Sequence, residues 1–583
     1  MPHIRAPRVH DLTPVVSLFL LTWLLAAREA RASSESADVV AWVRATAIPL
    51  TTEQAGEGFA DLAGFGEKLG NARIVSLGEP THGTREVFQM KHRLVEYLAS
   101  EHGFSLFAIE ANMPEAQRLN DYVLGGAGDA AELIRGMYFW TWSTEEVRAL
   151  VEWMRVFNTD PGNRQRGRSI EFTGFDMQTP GTPAAIARDY AAAHLQESLP
   201  LFERAHRALN EAAGPEFSTA VATFPIDLVR GRRIVFSGWI KTEKVNGWAG
   251  LWWRADAGER RSVAFDNMVT RGPRGSTPWR RHEIALAIPP EATHVNFGVL
   301  LSGKGRAWFD DLSVTIDGVA FDPSGTFDFG FERDPILGFR AGQRKDYDVA
   351  LDGERHEGAK ALLIAKRDAG PQSLDLLETW TACADTLRAQ QVGGDLEARR
   401  AWALQMTQLV IQNLETRLKR QKRDTCMADN VRWLADRDPT RKIILWAHNG
   451  HVSRDAGRMG AYLDAAYGAS HVVVGFATRR GEYRAMGRQP ARLDVFPLAA
   501  PERNAVEGVC AATGLPRFIL DLRPCRDREG PAAAAWFAAA RPFRFIGAGQ
   551  MELQFRDTPV ARHYDFLVYL DQTHASVPLP PNG

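Results

Sequence analysis

Residues 73–83 read Arg-Ile-Val-Ser-Leu-Gly-Glu-Pro-Thr-His-Gly: an apolar run that stops at a glycine and opens into an acid and an imidazole three residues apart. A short apolar run bounded by glycine predicts a buried strand over Arg73–Gly78. Downstream, Val87, Met90, Leu94 and Leu98 recur at helical spacing, which predicts a helix over Thr84–His102 ended by Gly103. Ser105–Glu110 and Ser169–Asp176 read as further strands, with a helix over Glu145–Asn158 between them. Strands separated by helices predict a parallel sheet covered on both faces. Each strand ends in an acid or beside one (Glu79, Glu110, Asp176), at the edge where open α/β sheets bind ligands.

Outward from this core the pattern changes twice. Pro183–Ala213 predicts one helix with proline in its first turn. From about Glu216 to Arg367 short runs of period two replace it: 234–240, 250–254, 295–301 and 307–316, with Asp317-Gly318 as a hairpin turn and a sheet edge near Tyr347–Lys366. This predicts an inserted antiparallel β-sandwich of jelly-roll type. Ser373–Gln391 and Leu396–Asp436 then read as a helical hairpin. Strands over Arg441–Ala447, Ala469–Ala477 and Phe518–Leu522 return the chain to the α/β core. The expected division is 1–32 signal peptide, 33–215 and 441–583 the split α/β domain, 216–367 the sandwich and 368–440 a helical subdomain.

With 583 residues, 45% hydrophobic and 24% charged, the chain is globular and long enough for several cores; its net charge of −1 gives no pull toward nucleic acid. The basic run Arg417–Arg423 reads as a solvated helix face. Arg5 and Arg8 precede an apolar run of 15 residues, Thr13–Ala27, and then Ala30-Arg31-Ala32. That pattern fits an export signal cleaved after Ala32, leaving no membrane span; an uncleaved anchor is the alternative. Cys510 and Cys525, and Cys383 and Cys426, are possible disulfide pairs in an exported chain; four buried thiols are as good a reading.

The second polar segment is Ala447-His448-Asn449-Gly450-His451, again just after a buried strand. Histidine titrates near neutrality, so His82 and this pair suit proton transfer or metal binding. Alone, 78–83 also reads as an ordinary strand-to-helix turn capped by Thr81. No Gly-x-Ser-x-Gly elbow offers a serine nucleophile. Glu79, His82, His448 and His451 hold enough donors for zinc, although His-Glu-x-x-His is absent. Tyr138–Trp142 is an aromatic run that suits either an apolar ligand wall or core packing.

Seven stretches in order carry a resemblance: GEPTHGTREVFQMKHRLVEYLASEHGFSLFAIEANMPEA, WMRVFN, TGFDMQ, DTCMADNVRWL, ILWAHNGHVSR, MGAYLDAAYG and VVVGFAT. Together they resemble the erythromycin esterases over about residues 70–180 and 375–570. The resemblance implies an α/β core with a helical subdomain over the cleft. It also implies a carboxylic-ester hydrolase acting on small molecules such as macrolides, hence a role in antibiotic resistance, without a cofactor. By motif position it makes His82 the base that activates water and Glu79 its partner. Glu110 becomes the group that orients or stabilises a charge. His448 and His451 become the pair that positions water or protonates the leaving alkoxide. Lys91, where relatives carry arginine, becomes a substrate-steering or charge-stabilising group, though a helix position also suits plain surface charge. Trp142 and Asp176 are further candidates for substrate contact. The alternatives are a haem- or carbohydrate-binding protein on a related fold and a zinc hydrolase using the same cluster. The segment Ala307–Leu312 resembles a late strand of carbohydrate-binding jelly rolls, so Trp239, Trp248, Trp252, Trp253, Trp279 and Trp308 either stack on a glycan or fill the core between sheets.

Overall fold

The computed structural model describes residues 37–212, 217–258, 261–342, 346–366, 372–488, 492–526 and 532–580. The expected export signal lies outside them. No helix among the described residues is long and apolar enough to cross a membrane.

The chain divides into two units: one runs to Phe202 and resumes at Cys383, the other spans Glu203–Ala382. The first is α/β. Its sheet contains β1 (Ile74–Leu77), β2 (Leu106–Asn112), β3 (Glu171–Asp176), β4 (Ile443–Trp446), β5 (His471–Met486), β6 (Arg517–Asp521) and β7 (Phe566–Thr573), in the spatial order β6-β7-β5-β1-β4-β2-β3. The five strands from β5 to β3, and β7 beside β5, run parallel. The sheet is mixed, not wholly parallel as the alternation of elements suggests: β6 enters antiparallel to β7, and Ile48–Pro49 antiparallel to β6.

The central strands read as continuous apolar runs because both faces are covered. Val75, Leu77, Phe107, Ile109, Ile444 and Trp446 enter one core; Ile74, Leu106, Ala108, Ile443 and Leu445 enter the other. Helix α1 (Arg85–His102) lays Val87, Phe88, Met90 and Leu94 on the first core and stops at Gly103, whose positive φ of 71° carries the N–H to the carbonyl of Leu98.

Two long helices expected from periodicity are broken. Pro183–Ala213 is two helices, α2 (Gly181–His194) and α3 (Leu199–Ala212). Leu396–Asp436 is α4 (Asp395–Arg417) and α5 (Arg423–Asp436), parted at Lys419, whose φ of 57° lies outside the right-handed helix region. Helix α4 packs mainly on α2, and its Arg400 Nη1 donates to the carbonyl of Leu387 in the preceding helical stretch at 2.9 Å. Cys426, Cys510 and Cys525 are buried free thiols, which removes both possible disulfides.

The second unit holds two antiparallel sheets around one core. Arg340–Ala341, Phe217–Thr223, His294–Ser302, Trp248–Ala257 and Arg261–Asp266 form the first, in that order. Tyr347–Asp352, Ala361–Lys366, Arg306–Ile316, Arg233–Val245 and Gly275–Ala287 form the second. Phe236, Trp253, Phe297, Phe309 and Ile364 fill the core. Asp317 and Gly318 both take positive φ and turn Ile316 back onto Val319, as their residue types allow.

Candidate active site

Strand order brings the polar residues together. β1, β4, β2 and β3 are consecutive neighbours, so Glu79, His448, Glu110 and Asp176 stand side by side at their C-terminal ends. The turn after β1 is tight. A Cβ on Gly78 would lie 2.2 Å from Asn449 Oδ1, and one on Gly83 would lie 2.0 Å from the carbonyl oxygen of Arg484. Glycine at both positions lets the segments after β1 and β4 meet, and the Asn449 N–H donates to the Glu79 carbonyl at 2.9 Å.

Glu79 is fully buried and its carboxylate is fully used. Oε1 faces His82 Nδ1 at 2.7 Å. Oε2 accepts from Lys91 Nζ at 2.7 Å and from the Trp446 indole N–H at 2.8 Å. Because Oε1 can only accept from a ring N–H, the proton of neutral His82 sits on Nδ1, which leaves Nε2 as the basic nitrogen. Lys91 lies under this pair, 4.1 Å over the Trp446 ring. Burial pulls its pKa down to about 8, against the carboxylates of Glu79 and Glu110. Lys91 is therefore neither surface charge nor a group that substrate can reach: its side chain is 0% exposed.

The ring of His448 packs against His82, with centroids 5.1 Å apart. Its Nε2–H donates to the Ile546 carbonyl at 2.8 Å, and its Nδ1 accepts the Gly450 N–H at 3.0 Å, capping the short turn that carries His451. Burial, then His82 and His451, hold its pKa well below the ordinary histidine value. Both nitrogens are occupied, so His448 has none left for proton transfer or for a metal. This corrects the expectation that it protonates a leaving group, and it removes a ligand from the zinc alternative. Among the described residues the metal-type cluster is elsewhere, at Asp311, His356 and Glu357.

His451 is arranged the opposite way. Nδ1 meets Asp424 Oδ1 at 2.8 Å, and Nε2 lies 3.4 Å from Glu110 Oε1. Burial opposes its protonation, but Glu110 and Asp424 prevail and its pKa is raised. Glu110 keeps its charge despite burial, because His451, Arg423, His82 and the His448 N–H (3.0 Å) hold it below the usual carboxylate range. Arg423 closes the network. Nε and Nη2 form a fork on Asp176 at 3.1 and 2.6 Å, and Nη2 also reaches Glu110 at 2.8 Å. Asp176 is thus a fully buried anchor for Arg423, not a substrate contact. Trp142 is likewise buried, its N–H donating to the Glu110 carbonyl at 2.9 Å and its ring edge-on to His82.

Exposure sorts the groups. The side chains of His82 (11%), His451 (18%) and Arg423 (27%) reach solvent, whereas Glu79 and Asp176 are at 0% and Glu110 at 5%. An arriving molecule meets two imidazoles and a guanidinium backed by carboxylates. Sequence reading missed Arg423 and Asp424. The first was set aside as a solvated basic run, and the second stood unremarked inside DTCMADNVRWL.

The erythromycin esterase family profile matches residues 99–230 and 349–573, more than half of the chain. The transcriptional regulator YbfP of Bacillus subtilis (strain 168), of the helix-turn-helix type, is 39% identical over 97 residues, 17% of this chain and 33% of that protein. Erythromycin esterase type II of Escherichia coli is 26% identical over 142 residues, 24% of this chain and 32% of that protein. The chain thus matches about a third of the length of these curated relatives. Among solved structures, a succinoglycan biosynthesis protein superposes with a TM-score of 0.59 at 18% identity, covering 94% of this chain and 99% of that one. An EreC erythromycin esterase variant in its open conformation gives 0.52 at 13% identity, covering 92% and 99%. At these identities the likeness is one of fold.

Proposed function

The chain belongs to the erythromycin esterase family, and on that premise we propose that it hydrolyses a carboxylic ester of a small molecule by attack of water activated at His82, with no serine nucleophile and no metal. The observation that carries this reading is the 2.7 Å contact from Glu79 to His82 Nδ1, which leaves Nε2 as the base. In the step, Nε2 takes a proton from water while the water oxygen bonds to the ester carbonyl carbon. The Glu79 carboxylate stabilises the imidazolium as it forms. Arg423, which is also open to solvent, supplies positive charge for the developing oxyanion. The carbon–oxygen bond of the ester then breaks, and the alkoxide leaves with a proton from His82 or His451. Glu110 and Asp176 hold Arg423 in place, Asp424 holds His451, and His448 holds the turn that carries His451.

The substrate is read as a lactone or another ester, with macrolides first in line because a relative bears that name. Export through residues 1–32 belongs to the same proposal, as does the reading of the middle unit as an inserted jelly-roll sandwich, which the gap in the family match between 230 and 349 supports. The test is mass spectrometry of macrolides and simple esters after incubation with the purified protein. A product heavier by one water, with no acyl group retained on the protein, is expected. An acylated protein intermediate, or no product from any ester, would overturn the proposal. N-terminal sequencing of protein recovered outside the cytoplasm tests the export part.

A further inference from the structure

The tryptophans of the middle unit divide into two sets. Trp253 is fully buried in the core between the sheets. Strand geometry then places its neighbours Trp248, Gly250, Trp252, Arg254 and Asp256 on the outer face of the five-stranded sheet. Cross-strand register sets Trp252 opposite Gly298, Trp248 opposite Ser302, and Arg254 between Asn296 and Phe265. Trp248, Trp252, Arg254, Asp256, Phe265 and Asn296 line a groove of about 390 Å³.

The walls of the groove are aromatic, and the small or aliphatic side chains of Thr219, Val221 and Leu300 line it between them. Trp248 and Trp252 stand between Phe217 and Phe265, which are 40% and 53% exposed. No side chain fits at Gly298, where a Cβ would lie 2.0 Å from the Ala220 carbonyl oxygen; at Gly250 one would lie 2.9 Å from that of Asn267. Between the rings stand planar polar groups, Asn267 and Asn296 among them. The charged pair is self-neutralising: Arg254 Nε donates to Asp256 Oδ1 at 2.8 Å.

We propose that this groove binds a neutral polysaccharide or oligosaccharide. A pyranose ring offers an apolar C–H face to an indole and hydroxyls at its rim to amides and to a paired guanidinium and carboxylate. Few other ligands need aromatic faces and uncharged hydrogen-bonding groups in alternation. The absence of excess positive charge in the groove argues against an anionic polymer, which would require it. The groove shares no residue with the His82 cluster, and its test reads binding alone.

The experiment is affinity electrophoresis of the full chain in native gels containing soluble polysaccharides with glucan, xylan, mannan or galactan backbones, with alginate as the acidic counter-probe. Retardation by at least one neutral polymer is expected, with none by alginate. Trp252→Ala and, separately, the surface change Phe265→Ala should each weaken binding roughly tenfold, the scale of one lost stacking contact. Phe265→Ala removes an exposed ring and leaves the core intact, so it keeps the test sound should Trp252→Ala misfold. No retardation by any neutral polymer, retardation by alginate alone, or variants that migrate like the parent would overturn the proposal. So would a Phe265-dependent dimer in sedimentation, which would give the face to a second copy of the chain.

Discussion

The chemistry of the site turns on what each imidazole has left over. His82 gives one nitrogen to Glu79 and keeps one; His448 gives both to its own backbone surroundings; His451 is held between two carboxylates. Three histidines at one sheet edge thus have three different roles, and residue type alone could not separate them. Lys91 carries a testable consequence. Its pKa of about 8 in the folded chain compares with about 10.4 in an unfolded one. Between those values the unfolded chain holds the extra proton, so rising pH favours the folded state as far as Lys91 is concerned. Activity should move the other way, because loss of the ammonium strips Glu79 of its counter-charge. Ester turnover is expected to fall above about pH 8 while the melting temperature shows no matching drop. Lys91→Arg, which keeps its charge, should push that alkaline limb beyond the measurable range. An unchanged limb in Lys91→Arg would assign it to another group.

At the scale of elements, the strands that carry the site were legible because burial on both faces makes them apolar runs, and because Gly78, Glu110, Asp176 and His448 punctuate their C-terminal ends. The helix breaks were not read: Pro200, just past Ser198, marked the first but sits where a longer helical spacing runs through it, and the segment around Lys419 holds no proline to mark the second. Nor was the direction of β6, since an antiparallel strand has the same local composition as a parallel one. Arg423 was hidden for a related reason. Its partners Asp176 and Glu110 lie 247 and 313 residues away, so nothing near it in the chain announces an ion pair. The break before α5 is what aims it. Arg423→Leu would leave Asp176 and Glu110 buried with their shared cation gone, and should destabilise the α/β unit by about 3–5 kcal/mol in denaturant unfolding. The close approach at the turn after β1 gives a second check. Gly83→Ala sets a methyl against backbone and should cost about 1–3 kcal/mol, lowering turnover together with stability; an unaltered melting curve would show that the turn relaxes freely.

The whole molecule has two units with separate cores, and the buried ion pairs of the site lie in only one of them. Calorimetry should therefore resolve two transitions, of which Arg423→Leu lowers one and leaves the other in place; a single transition displaced as a whole would contradict this. The change of period near residue 216 made a second sheet system legible. The inward or outward sense of its tryptophans was not, because Trp252 and Trp253 are adjacent and only cross-strand register decides which faces the core. For the chain as a whole, the central claim is that Glu79-bound His82 generates the attacking water. Its most direct test is turnover of an accepted ester by His82→Ala against the parent, with circular dichroism to show equal folding. The account predicts a loss of about 10²–10⁴-fold in kcat with the fold intact. A folded His82→Ala protein that hydrolyses the ester at the parental rate would contradict it.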